Sequence, residues 1–243
     1  LRLLIQILII SSAVYFLEIK VNETSLDFLD YLISHDAINI FFTIFCLLVL
    51  LNGSNFCDGI NLNVIGYYLF VFVALLFLDK NNSENTILML IVFSLSIFYL
   101  SNFFNKSFLG DNGVYIISLF SGIYIINFIN IEENLNPLIA INLLWYPAYE
   151  NLFTIIRRKI KKNKIDQADR SHFHILLKEF ISKKITIIKN SNSLSGLILN
   201  IFIISGLYFS VIFKNNAYIL TLIIIINLTI YNFIYFKLKK EFL

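Results

Sequence analysis

Three polar stretches interrupt an apolar chain, and their residue types suggest phosphate chemistry. The first is NGSNFCDGIN, residues 52–61, with three asparagines, two glycines and an aspartate. A helix cap or a turn needs one such residue, and this stretch has six. The second is NKSFLGDNG, residues 105–113, where Asp111 lies at the start of a helix that begins near Val114. A carboxylate on a turn at a membrane surface can bind a hard cation such as Mg²⁺. The third is RRKIKKNKIDQADRSHFHILLKEF, residues 157–180, in which six of the first eight residues are basic. That run by itself reads as an anchor to anionic lipid, but an anchor does not explain DRSHFH. His172 and His174 are two of the three histidines in the chain. An i, i+2 pair does not share a helix face, so it suits a loop or short extended turn. On its own the pair reads either as metal ligands or as chance spacing. Carboxylates, amides, cations and imidazoles together suit a phosphorylated substrate, because phosphoryl transfer needs positive charge, a bridging metal and positioning.

The elements that carry these stretches are membrane helices. The 243 residues are 58% hydrophobic and 14% charged, with a mean hydropathy of +0.78. Soluble domains have about 25% charged residues. Two prolines and eight glycines leave little room for linkers, so residues 1–243 read as a single membrane-embedded domain. The predicted fold class is all-α, a polytopic integral membrane protein. About eight spans are expected, near 1–17, 37–51, 62–78, 86–101, 114–130, 137–156, 194–213 and 217–236, because long apolar runs in lipid must be helical. With eight spans, 16 of the 19 Lys and Arg fall on one side; only Lys20, Lys80 and Lys214 fall on the other. The positive-inside rule then makes the three polar stretches cytosolic. His35 falls on the opposite side. Cys46 and Cys57 read as free thiols. A nucleic-acid role is excluded, since the basic run has no interleaved aromatics and abuts a membrane.

The three stretches, in this order, resemble motifs of the polyprenyl-phosphate N-acetylhexosamine-1-phosphate transferases, the WecA/MraY superfamily. NGSNFCDGIN resembles the family's Asn-x-x-Asn-Phe/Leu-x-Asp-Gly loop, and FLGDNG, residues 108–113, its Phe-Leu/Met-Gly-Asp-x-Gly loop. DRSHFHILL, residues 169–177, resembles its histidine loop. Pro147, Glu150, Arg157 and Arg158 fall at the spacing of the family's Pro-x-x-Asp/Glu and Arg-Arg. The resemblance implies attack of undecaprenyl phosphate on a UDP-N-acetylhexosamine, with release of UMP, at the cytosolic face of the bacterial inner membrane. This step initiates lipid-linked cell-surface glycan synthesis. It implies Asp58, Asp111, His172 and His174 as catalytic residues and Asp111 as the Mg²⁺ ligand, with Mn²⁺ as a substitute. Asn52, Asn55, Asn61, Arg157, Arg158 and Arg170 would contact substrate. A homodimer is compatible with it.

The chain departs from the family pattern at three places. It has NLN where the family has Asn/Asp-Gly-Leu, Ile175 where the third histidine falls, and Val114 where a serine follows the glycine. The chain opens at Leu1 inside an apolar run, and a fragment is expected. The family's Asp-Asp motif would lie just upstream of Leu1, and turnover is expected only with it. Two other readings compete: a transporter, and an inactive homologue acting as a scaffold. Transport sites place ionisable residues at the bilayer midplane. Here the one acidic residue within a span is Glu150, near the end of its span.

Overall fold

The computed structural model describes residues 2–79, 85–132, 134–161, 171–184 and 190–241. The described residues form helices and no strands. In order these are α1 (Arg2–Phe16), α2 (Asp27–Ile33), α3 (Asp36–Cys57), α4 (Asn63–Leu78) and α5 (Asn85–Phe103). They continue with α6 (Gly110–Ile131), α7 (Leu138–Lys161), α8 (Phe173–Lys184), α9 (Ser191–Ile212) and α10 (Ala217–Glu241). Eight of the ten match the eight expected spans. α3, α5, α6, α9 and α10 are long and apolar enough to cross a membrane, and α1 and α4 are shorter apolar helices. The protein is a multi-pass membrane protein. Its outer surface is apolar: Phe41, Phe93, Ile116, Ile201 and Phe233 are all exposed, as a bilayer requires.

Helices in lipid gain little from apolar burial, so close backbone approach and interhelical hydrogen bonds hold them together. α4 is the buried centre of the bundle, with Tyr67, Tyr68, Phe72, Leu75 and Leu78 nearly inaccessible. α3 crosses α7 at Gly53, where an added Cβ would lie 1.9 Å from the Pro147 carbonyl oxygen. Pro147 lies inside α7 and has no N–H to give to the carbonyl of Leu143, four residues earlier. The Tyr67 hydroxyl of α4 donates to that carbonyl at 2.6 Å. The helix irregularity is thereby satisfied by a neighbour rather than by water.

The two ends of the bundle are sorted as the charge asymmetry predicts. At one end Asn22 N–H donates to the Asn130 side chain, and Ser25 donates to Asn136. The Asn136 N–H in turn donates to the Lys214 carbonyl. Residues near 20–25, 130–136 and 214 therefore meet there. At the other end meet the start of α1, the C-terminal end of α3, the α5–α6 turn, α8 and the start of α9.

Two stretches read as loops are helical. α3 continues through Asn52–Cys57. Asn52 Nδ2 donates to the Leu48 carbonyl and Ser54 Oγ to the Leu50 carbonyl, so these turn-forming side chains bond back to their own helix, and Ser54 also meets the Tyr68 hydroxyl of α4. The second stretch, predicted as a long loop over 157–193, holds the end of α7 and all of α8. Residues 173, 176, 177 and 181 form the buried face of α8, an i, i+3, i+4, i+8 pattern. The short helix α2, at the opposite end, was also unexpected.

Candidate active site

Two helix ends bring the aspartates together. Asp58 caps the C-terminus of α3, and Asp111 lies in the first turn of α6. Asn55, one turn before Asp58, donates from Nδ2 to Asp111 Oδ1 at 3.2 Å. Arg2 at the start of α1 donates to Asn55 Oδ1 at 2.9 Å and stands 3.7 Å from Asp111 Oδ2. Burial raises the Asp58 carboxyl above its ordinary value, and the nearby Asp111 carboxylate raises it further. Asp111 itself is open to solvent, with 67% of its side chain accessible.

The turn from Asp58 to Leu62 is held by asparagines. Asn61 Nδ2 donates to the Asn102 carbonyl at 2.9 Å and to Asn105 Oδ1 at 2.6 Å, while its Oδ1 accepts from Asn192 of α9 at 3.0 Å. Asn102 Oδ1 accepts from the Leu62 N–H at 2.6 Å. Leu62 has φ +67°, a left-handed conformation that costs an L-residue about 1–2 kcal/mol. It stands where the family pattern has glycine, so the missing glycine is replaced here by a strained leucine held by Asn102. A cavity of about 280 Å³ opens beside this turn, lined by Asp58, Gly59, Asn102, Phe108, Gly110 and Asn192 among others.

The histidines close the other side. His172 immediately precedes α8 and His174 is its second residue, so the pair spans a helix start rather than a loop. Their rings lie nearly parallel with centroids 5.7 Å apart, and His172 also faces Phe56 of α3 at 5.6 Å. His174 packs directly against the first motif: a Cβ on Gly59 would lie 2.4 Å from His174 Nε2. Glycine at 59 permits that approach. Burial pulls the His174 imidazole down to about 3, helped by the nearby charges of His172, Lys178 and Arg157 against the opposing pull of Glu150. His174 is therefore neutral at physiological pH. His172 Nδ1 stands 2.8 Å from Glu150 Oε1, and the Tyr231 hydroxyl donates to Glu150 Oε2.

Of the expected site residues, the structure gathers Asp58, Asp111, Asn55, His172 and His174 at one end of the bundle. Asn61 lies there too, with its amide wholly engaged in internal bonds. Asn52 is turned back on its own helix. Arg157 is buried and donates to the Ser171 carbonyl and to Tyr235, which makes it a clamp on the segment just before His172. Arg158 is also buried and lies 5.4 Å from the Phe56 ring. Arg170 lies outside the described residues. Sequence reasoning missed Asn102, Asn192, Tyr231 and Tyr235. Polar residues in apolar helices were the available signal.

Residues 1–136 match the model of Glycosyl transferase family 4. The match covers more than half of the chain, and the chain belongs to this family. No curated protein and no solved structure matches it. Family membership makes it a transferase that moves a phospho-sugar from a nucleotide sugar to a polyprenyl phosphate, in a membrane.

Among the described residues no group of three or more His, Cys, Asp or Glu could hold a metal ion. Mg²⁺ does not need one, since it binds through one or two carboxylates with waters and substrate phosphates completing its shell. Asp58 and Asp111 supply two like charges, and Arg2 already approaches Asp111 as a cation. This donor set fits a divalent cation shared with a diphosphate.

Proposed function

We propose that this protein transfers N-acetylhexosamine-1-phosphate from a UDP-sugar to undecaprenyl phosphate on the cytosolic face of a bacterial inner membrane. The observation that carries the reading is the convergence of Asp58, Asp111, His172 and His174 at one end of a membrane bundle in a glycosyl transferase family 4 chain. The concentration of Lys and Arg in that end's connections supports the cytosolic orientation.

A lipid phosphate oxygen attacks the phosphorus that bears the sugar. The bond from that phosphorus to the oxygen bridging to the second phosphate breaks, UMP leaves with the electron pair, and a lipid-diphosphate sugar forms. Asp111 and Asp58 would hold Mg²⁺, or Mn²⁺ in its place, which when bound supplies positive charge to the diphosphate oxygens. The chain's own residues supply the positioning. Asn55 orients Asp111, and the 58–62 turn with its cavity offers backbone groups to the nucleotide sugar. His172 faces the same end and interacts with the phosphates. This arrangement matches phosphoryl transfer, in which placement and electrostatics supply most of the catalysis.

The test is a transfer assay on the gene's full-length product in membranes, with undecaprenyl phosphate, Mg²⁺ and a panel of labelled UDP-N-acetyl sugars. The WecA-like branch makes N-acetylglucosamine the expected donor. Butanol-extractable label that requires Mg²⁺ and is lost in Asp111→Asn supports the reading. Folded protein that labels no lipid with any donor overturns it.

A further inference from the structure

His172 is held at one ring nitrogen only. Its Nδ1 meets Glu150 Oε1 at 2.8 Å, while Nε2 has no hydrogen-bond partner among the described residues. Glu150 is completely buried and its second oxygen accepts from Tyr231 of α10. A buried carboxylate needs its oxygens satisfied, and here a histidine and a tyrosine do that. Arg157, seven residues and two turns further along α7, reaches the same segment by donating to the Ser171 carbonyl. Tyr235, one turn beyond Tyr231, accepts from Arg157 Nη1 at 3.2 Å. One face of α7, backed by Tyr231 and Tyr235 of α10, thus grips residues 171 and 172 at two points.

We propose that Glu150 is a positioning residue for the transfer reaction: it holds the Nδ1 proton of His172, so that Nε2 is the nitrogen presented to the substrate phosphates. A histidine has two tautomers, and the partner at one nitrogen sets which nitrogen remains free. With Nδ1–H given to Glu150, Nε2 accepts a proton when the ring is neutral and donates a charged hydrogen bond to phosphate when it is protonated. Tyr231 satisfies the second carboxylate oxygen, and Phe56 and His174 pack against the His172 ring. Glu150 itself touches no substrate.

The inference rests on the transferase reading, so its test has one arm that needs no turnover. The chain has only three histidines, and ¹⁵N-imidazole NMR with His35→Asn and His174→Gln variants assigns His172. The expected result is a single tautomer with its proton on Nδ1 in the parent protein, lost in Glu150→Gln and retained in Tyr231→Phe. In the kinetic arm, Glu150→Gln lowers kcat by about 100-fold, the scale of a misplaced acid–base group, with KM for both substrates within about twofold. Glu150→Asp recovers part of the rate. Overturning results are a His172 spectrum unchanged by Glu150→Gln, or an activity loss that Glu150→Asp does not relieve while the spectrum stays native. Absence of transfer by the parent protein sinks the transferase reading, and the NMR arm still decides whether Glu150 fixes the tautomer.

Discussion

Asn55 and Asp111 are joined end to end: the side-chain amide on the last full turn of α3 donates to a carboxylate oxygen on the first turn of α6, at 3.2 Å. This bond, together with that from Asn61 to Asn105, links the first motif to the second and leaves Asp111 exposed to act on a ligand. Asp111→Asn is expected to reduce transfer at least 100-fold, the scale of a lost electrostatic contact in a transition state, without unfolding an exposed site. Asn55→Ala should reduce it less. The measurement is labelled-lipid formation across a Mg²⁺ titration, in which Asn55→Ala should need more metal and Asp111→Asn should not be rescued by it.

Asp58 has a raised folded-state value, so its ionisation costs stability. The contribution is present below the ordinary carboxylate value near 3.8 and is lost as pH rises through the raised value. Asp58→Asn should therefore raise the melting temperature in detergent at neutral pH and leave it nearly unchanged in strong acid, while abolishing transfer. Equal melting curves at neutral pH would contradict the burial of this carboxylate.

His174 works in the opposite sense. Its folded value near 3 lies far below the ordinary imidazole value of about 6.5. The stability it contributes is full above about 6.5 and is lost as pH falls toward 3. His174→Gln should flatten the loss of melting temperature across that window. A variant whose acid sensitivity matches the parent's would show that the imidazole is not buried neutral.

Gly53 and Gly59 make different demands. At Gly59 a Cβ meets the His174 imidazole, which can shift; at Gly53 it meets the Pro147 carbonyl, which is helix backbone. Gly59→Ala should destabilise the protein by about 1–3 kcal/mol, the usual range for overpacking, and depress transfer. Gly53→Ala should cost more, because α3 and α7 must separate. Thermal unfolding of both variants in one detergent gives the ranking directly.

Asn61 supplies a test of structure against recognition. Its amide is spent on Asn102, Asn105 and Asn192, so Asn61→Ala should lower the melting temperature while leaving KM for the sugar donor within about twofold. A large KM increase with unchanged melting would instead make it a substrate contact.

The spans were legible because lipid demands long apolar runs, and the charge asymmetry sorted their ends correctly. Helix boundaries were less legible where polar residues bond to their own helix. Asn52 and Ser54 look like turn formers in sequence, yet each donates to a carbonyl four residues back. α8 was hidden by the lysines around it, although Phe173, Leu176, Leu177 and Ile181 carry its apolar face. The aspartates and histidines were readable from their motifs. Their supports were not: Glu150 lies 22 residues from His172 and 81 from Tyr231, and only packing brings them together. Arg157 and Arg158 read in sequence as substrate contacts or lipid anchors; the structure buries both, and Arg157 donates to the Ser171 carbonyl and to Tyr235.

The bonds at Asn61 also set an order of events during synthesis. Its partners Asn102 and Asn105 emerge from the ribosome soon after it, but Asn192 follows 131 residues later. Glu150 waits similarly for Tyr231 on the last helix. A nascent chain halted before α9 would therefore hold every aspartate of the site and still lack the clamps that fix their surroundings. The supports of the site are complete only when the final pair of helices is in place.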